Sequence, residues 1–137
     1  MTITIQPGQL TLDQLQRIHA GDVRVELHPD ARTMLRAAQA VVQAAADGDD
    51  AVYGVNTGFG KLANQRISKE QLAALQLNLI RSHSVGVGEP LAAPIMRLMM
   101  VTKAASLARG YSGVREVVVD TLLAVVNAGL VPFVPSQ

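Results

Sequence analysis

A mainly α-helical chain, with one short strand pair or none near the N-terminus, is what this sequence predicts. Three features lead there. Apolar residues recur at helical spacing along most of the chain. Short segments rich in Gly, Pro, Ser and Asp divide those stretches, as helix ends do. Strand-type alternation stands out once, at Val23, Val25 and Leu27 with Arg24 and Glu26 between them.

The first helix starts at Thr11. Thr11 and Gln14 match a capping box, Leu12, Leu15 and Ile18 share a face, and Gly21 ends the helix. The strand at Val23–Leu27 follows. Pro29 then opens a second helix, where a fixed φ suits the first turn. Its apolar stripe is Met34, Leu35, Ala38, Val41, Val42 and Ala45, closed by Gly48 and an acidic turn. Residues 51–67 read as a loop holding Gly54, Gly58 and Gly60. Ser68 starts a third helix with Gln71 as a second capping box, and Leu72, Leu75 and Leu79 mark its buried face. That helix ends near Ser82-His83, and residues 84–90 form a second glycine-containing loop. A fourth helix runs from about Leu91 to Arg109, apolar nearly all round and so buried on most sides, with Met96, Met99 and Met100 as packing. Ser112 caps a fifth helix lined by Val114, Val117, Val118, Leu122 and Val125, and Gly129 stops it. The tail Leu130–Gln137 is extended and apolar, and looks cut where another segment should follow.

The 137 residues suit one domain, 1–137, itself a piece of a longer chain. At 49% hydrophobic the chain can build a core; a chain this size buries roughly two thirds of its unfolded surface. With 12 Lys and Arg against 11 Asp and Glu, the net charge is +1, which gives no basic face for nucleic acid. Aromatics are 3% of residues, too few for base-stacking platforms. The absence of cysteine excludes disulfides, thiolate zinc sites and cysteine nucleophiles, and fits a cytoplasmic location. Arg97 and Lys103 interrupt the most apolar window, Leu91 to Ala108, which argues against a membrane span.

The most unusual stretch is Val52-Tyr53-Gly54-Val55-Asn56-Thr57-Gly58-Phe59-Gly60-Lys61. Glycines let a backbone take positive φ and let a ligand come close. A tyrosine among them can move a proton if its pKa is lowered. A turn with a half-buried, hydrogen-bonded Tyr explains the same spacing. The stretch is not a phosphate loop: Val55 stands where that motif needs Gly, and Leu62 where it needs Ser or Thr. Gly86-Val87-Gly88 lacks the third glycine of a dinucleotide fingerprint. His19, His28 and His83 are scattered without metal-ligand spacing. His19 and His28 read as surface or helix-end residues, whereas His83 lies at a helix end beside a glycine loop.

Two loops together resemble one family. Tyr53-Gly54-Val55-Asn56-Thr57-Gly58-Phe59-Gly60 resembles the tyrosine loop of the aromatic amino acid ammonia-lyases. Leu75–Gly88, with Asn78, Ser82 and His83, resembles their second active-site segment, and Val131–Gln137 the lead-in to their cofactor segment. The resemblance implies the helical N-terminal domain of the ammonia-lyase/fumarase-like superfamily. The Ser82-His83 pair looks most like the members that act on histidine.

On that likeness the reaction is loss of ammonia from L-histidine to give trans-urocanate, with no metal and no nucleotide. The implied catalytic residue is Tyr53, in proton transfer. His83, Ser82 and Gly60 would bind substrate, and Gly54, Asn56, Gly58 and Asn78 would support the loops. The implied cofactor is a methylidene-imidazolone made from Ala-Ser-Gly, a tripeptide that occurs nowhere in these residues. The chain alone is therefore expected to be inactive. The resemblance also implies a homotetramer with shared sites. Two alternatives stay open: a piece of a tyrosine or phenylalanine lyase or aminomutase, and a non-catalytic helical interaction protein.

Overall fold

A computed structural model describes residues 1–137. The order is β1 (Thr2–Ile5), α1 (Leu12–Ala20), β2 (Arg24–Leu27), α2 (Asp30–Asp47), a single 3₁₀ turn (Gly60–Leu62), α3 (Lys69–His83), α4 (Ala93–Leu107) and α5 (Glu116–Asn127). The mainly α reading holds, and the short β element is a parallel pair, Thr2 opposite Arg24 through Ile5 opposite Leu27. The chain forms two compact units. One comprises Met1–Gln39 with Val87–Gln137, and the other Ala40–Gly86. No helix is long and apolar enough to cross a membrane.

The first unit holds the main core. Thr2-Ile-Thr-Ile5 alternates exposed and buried residues, as does β2, so Ile3, Ile5, Val25 and Leu27 turn to one face. They pack with Ile18 of α1, Leu35 of α2, Val101 and Ala104 of α4, and Val119 and Leu123 of α5. Two strands leave β2 short of partners, and a side chain makes up the shortfall. Asn127 at the end of α5 accepts from the Val25 N–H at 2.7 Å and donates to the Val25 carbonyl at 2.8 Å. Arg97, which interrupts the apolar run of α4, donates to the Ile18 carbonyl near the end of α1 at 3.4 Å. The apolar tail is extended and pairs antiparallel with residues 87–91, through Leu91 N–H to Val134 O at 2.9 Å and Ser136 N–H to Glu89 O at 3.0 Å.

Several expectations on this unit need correction. Ser112 does not cap the fifth helix. Gly113 follows it at φ +62°, outside right-handed helical space, so α5 starts only at Glu116 with Arg115 as its N-cap. The buried face of α5 is Val119, Leu123 and Val126. Val118, Leu122 and Val125 flank it, and Val117 is exposed. Three consecutive valines, 117–119, leave that face undetermined by pattern. Met34 and Val41 of the α2 stripe and Met99 of α4 are also exposed. Met96 and Met100 are buried as expected.

In the second unit α3 ends at His83 as expected, but none of its residues is buried, and Leu72, Leu75 and Leu79 are half-buried. The Ser68 capping box does not form. The Glu70 carboxyl is held below its ordinary pKa by its own backbone N–H first and by the Ser68 hydroxyl second. A carboxylate in the first turn also suits the helix dipole there.

Candidate active site

All the predicted site residues lie in the second unit. The loop 52–60 is built around a buried amide. Asn56 is 1% exposed, and its side chain satisfies three backbone groups. Its Oδ1 accepts from the Val52 N–H at 2.7 Å. Its Nδ2 donates to the Ala45 carbonyl at 3.0 Å and the Asp50 carbonyl at 2.9 Å. Its own carbonyl accepts from the Ile67 N–H at 2.8 Å. A buried amide with this many partners is costly to replace, because each lost bond strands a backbone group. Thr57 beside it is fully buried and pairs antiparallel with Arg66, and Gly58 N–H donates to the Gln65 carbonyl at 3.2 Å.

Tyr53 sits on the open side of this frame. It is 64% exposed, and its ring meets Phe59 edge to face, with centroids 5.9 Å apart at 74°. The half-buried tyrosine that spacing alone allowed is thus not what the fold makes. The two neighbouring glycines are needed for different reasons. Gly54 has φ +75° with open space around it, so its conformation excludes other residues. Gly58 is excluded by crowding, since a Cβ there would come within 2.6 Å of the Leu62 Cβ. Gly60 starts the 3₁₀ turn and is exposed.

Ser82 and His83 form the last turn of α3 and are exposed, as is Asn78 one turn earlier. His83 Nδ1 lies 2.9 Å from the Leu79 carbonyl and 3.0 Å from Ser82 Oγ. Ser82 Oγ also donates to the Leu79 carbonyl at 3.1 Å. A carbonyl only accepts, so the Leu79 contact is a hydrogen bond in the tautomer with the proton on Nδ1, which leaves Nε2 with a lone pair. No side-chain hydrogen bond or ring pair joins the two segments: Tyr53 pairs with Phe59, and His83 with Ser82 and Leu79.

One set of residues escaped the sequence reading. Arg66 donates through Nη2 to the Gly48 carbonyl, and its Nη1 lies 3.2 Å from Asp49 Oδ1. Lys69 Nζ lies 3.3 Å from Asp47 Oδ1, and Gln43 Nε2 donates to the other Asp47 oxygen at 2.9 Å. The Gln43 bond foremost, then Lys69, holds the Asp47 carboxyl below the ordinary aspartate range. In sequence these are scattered surface charges. What marks them is that they converge on the C-terminal end of α2, where carbonyls lack helical partners.

The family model of aromatic amino acid lyases matches residues 10–137. A histidine ammonia-lyase from Burkholderia pseudomallei is 52% identical over 136 residues, which cover 98% of this chain and 27% of that one. The crystal structure of a histidine ammonia-lyase from Trypanosoma cruzi is similar with a TM-score of 0.90 at 38% identity, covering all of this chain and 26% of that one. A tyrosine aminomutase from Streptomyces globisporus gives a TM-score of 0.92 at 26% identity, with the same coverage. The chain therefore spans about a quarter of the length of the relatives it matches.

Proposed function

The chain belongs to the aromatic amino acid lyase family, and from that premise we propose that it is the N-terminal domain, residues 1–137, of an enzyme that eliminates ammonia from L-histidine to give trans-urocanate. The observation that carries this reading is the exposed Tyr53 on a loop whose base is fixed by buried Asn56, in the same compact unit as the exposed Ser82-His83 pair. Identity supports histidine over tyrosine as substrate, since among the solved structures it is 38% with a histidine ammonia-lyase and 26% with a tyrosine aminomutase.

The difficulty of the reaction is that the β-proton is weakly acidic and the leaving group is an amine. A methylidene-imidazolone, when present, supplies an electrophile for that step. These residues do not make one: Ala105-Ser106 is followed by Leu107, and Ser112-Gly113 is preceded by Tyr111. What the chain contributes is proton handling and recognition. The Tyr53 phenol, exposed on its loop, takes or returns a proton at the substrate. In the tautomer that donates from Nδ1 to the Leu79 carbonyl, His83 Nε2 accepts a hydrogen bond from the N–H of the substrate imidazole. Ser82 keeps that ring oriented, and Gly60 lets the substrate approach. Gly54, Gly58 and Asn78 support the two segments. The complete enzyme on this reading is a cytoplasmic homotetramer with active sites shared between subunits.

The test is steady-state kinetics on the full-length enzyme carrying this chain. Tyr53→Phe is expected to lower kcat for urocanate formation by about 100-fold or more, as loss of a general acid–base group does. His83→Phe is expected to lower kcat/KM for histidine by about 10-fold or more, with the loss centred on substrate binding. Unchanged kcat/KM in both variants would overturn the assignment.

A further inference from the structure

We infer that Asn56 and Arg66 are positioning residues for Tyr53, acting by clamping both feet of the tyrosine loop to the C-terminal end of α2. The inference rests on the proton-transfer role proposed for Tyr53, and it adds a device that sets where that phenol stands.

The end of α2 has carbonyls without helical partners. Two side chains from the far side of the loop take them. Asn56 Nδ2 donates to the Ala45 carbonyl, and Arg66 Nη2 to the Gly48 carbonyl. Asn56 also grips the loop itself. Its Oδ1 holds the Val52 N–H, immediately before Tyr53, and the Val55 and Asn56 N–H groups turn back onto the Val52 carbonyl at 3.1 and 3.2 Å. Arg66 holds the other foot. Its backbone pairs with Thr57, and the Ile67 N–H returns to the Asn56 carbonyl. Tyr53 is thus fastened on both sides while its own side chain stays 64% exposed. The ion pair from Arg66 to Asp49 reinforces the grip next to the Gly48 carbonyl that Arg66 also holds. The guanidinium is suited to this, because its fork serves a carbonyl and a carboxylate at once. A lysine at 66 could serve one of them well. A carboxylate at 56 would face the carbonyls of Ala45 and Asp50 instead of donating to them.

Displacement of a reacting group by about 1 Å costs up to about 100-fold in rate. If the clamp acts through Tyr53, its loss must fall on kcat and must vanish when Tyr53 is already disabled. The experiment uses the full-length enzyme with Arg66→Ala, Arg66→Lys and Asn56→Asp, each in the parent and in a Tyr53→Phe background. Arg66→Ala is expected to lower kcat about 10-fold with KM changed less than about 3-fold. Arg66→Lys should restore part of the loss, and Asn56→Asp should cost more. In the Tyr53→Phe background each further loss should shrink to about 2-fold or less. Equal losses in both backgrounds would overturn the proposal, as would an unchanged kcat in Arg66→Ala. Amide exchange gives a readout independent of activity. The Val52 and Ile67 amides should exchange at least about 10-fold faster in Arg66→Ala, and unchanged exchange would overturn the clamp even if Asn56→Asp fails to fold. Failure of the Tyr53 assignment shows separately, as an undiminished kcat in Tyr53→Phe alone.

Discussion

A single aspartate shows how much chemistry the exposed end of α2 carries. Asp47 is a surface carboxylate, yet its pKa is held down by the Gln43 amide first and by Lys69 second. A carboxyl whose pKa is lowered on folding adds stability above its unfolded pKa, and that stability is lost as pH falls through the folded value. The Asp47 contribution should therefore persist at neutral pH and disappear in acid. Carboxyl titration by NMR should place its midpoint below that of an ordinary aspartate. Gln43→Ala and Lys69→Ala should each raise the midpoint, because the amide bond is the largest single cause and Lys69 adds both a hydrogen bond and its charge. An unchanged midpoint in either variant would remove that partner from the account. At this scale the sequence was legible where residue type determined role. Tyr53 and the three glycines announced an unusual loop. Arg66 did not, because an arginine between a loop and a helix reads as solvated surface. Its role depends on carbonyls 18 residues earlier in the chain that the fold brings within reach.

Among the elements, legibility followed how local the deciding interactions were. α1 was readable because its signals lie within a few residues of one another. Thr11 Oγ1 accepts from the Gln14 N–H at 3.2 Å, Gln14 Oε1 accepts from the Thr11 N–H at 3.0 Å, and Gly21 turns at φ +98°. The same pattern at Ser68 makes no side-chain cap. The two sites therefore make opposite predictions. Thr11→Ala should destabilise the protein by about 1 kcal/mol, as loss of a helix cap does. Ser68→Ala should stay within about 0.5 kcal/mol, as ordinary surface substitutions do. Chemical denaturation of both variants checks this, and equal losses would restore a capping role to Ser68. The partner of β2 was less legible. The pattern at Thr2–Ile5 is four residues long, and it becomes a strand only because β2 returns parallel beside it. Asn127 completes the ladder from 102 residues away, which no local pattern reports.

For the whole molecule, the division into two units was not written in any composition shift. The apolar stripe of α2 reads as one continuous helix face, yet its residues fall on both sides of the boundary at Gln39–Ala40. What the sequence does report at this scale is which chemistry the chain carries and which it lacks. The Tyr53 and Ser82-His83 segments offer a phenol and an imidazole, groups chemically able to move a proton or to hydrogen-bond a ring nitrogen. Neither gives the amine a way to leave. None of Ser68, Ser82, Ser84, Ser106, Ser112 and Ser136 stands between an alanine and a glycine. Elimination from an unactivated amino acid is slow enough that enzymes supply rate factors of about 10⁶ or more. General acid–base catalysis alone supplies about 10²–10⁴. On the role proposed for Tyr53, proton transfer therefore falls short by at least about two orders of magnitude. The 137 residues, purified alone and given L-histidine, should release no urocanate above the uncatalysed rate, while the full-length enzyme turns it over under the same conditions. Histidine should still perturb the NMR signals of His83 if that imidazole recognises substrate without outside help. Steady urocanate release by the pure chain would mean that an electrophile arises from residues other than an Ala-Ser-Gly tripeptide, and the division of labour argued for Tyr53 and His83 would have to be redrawn.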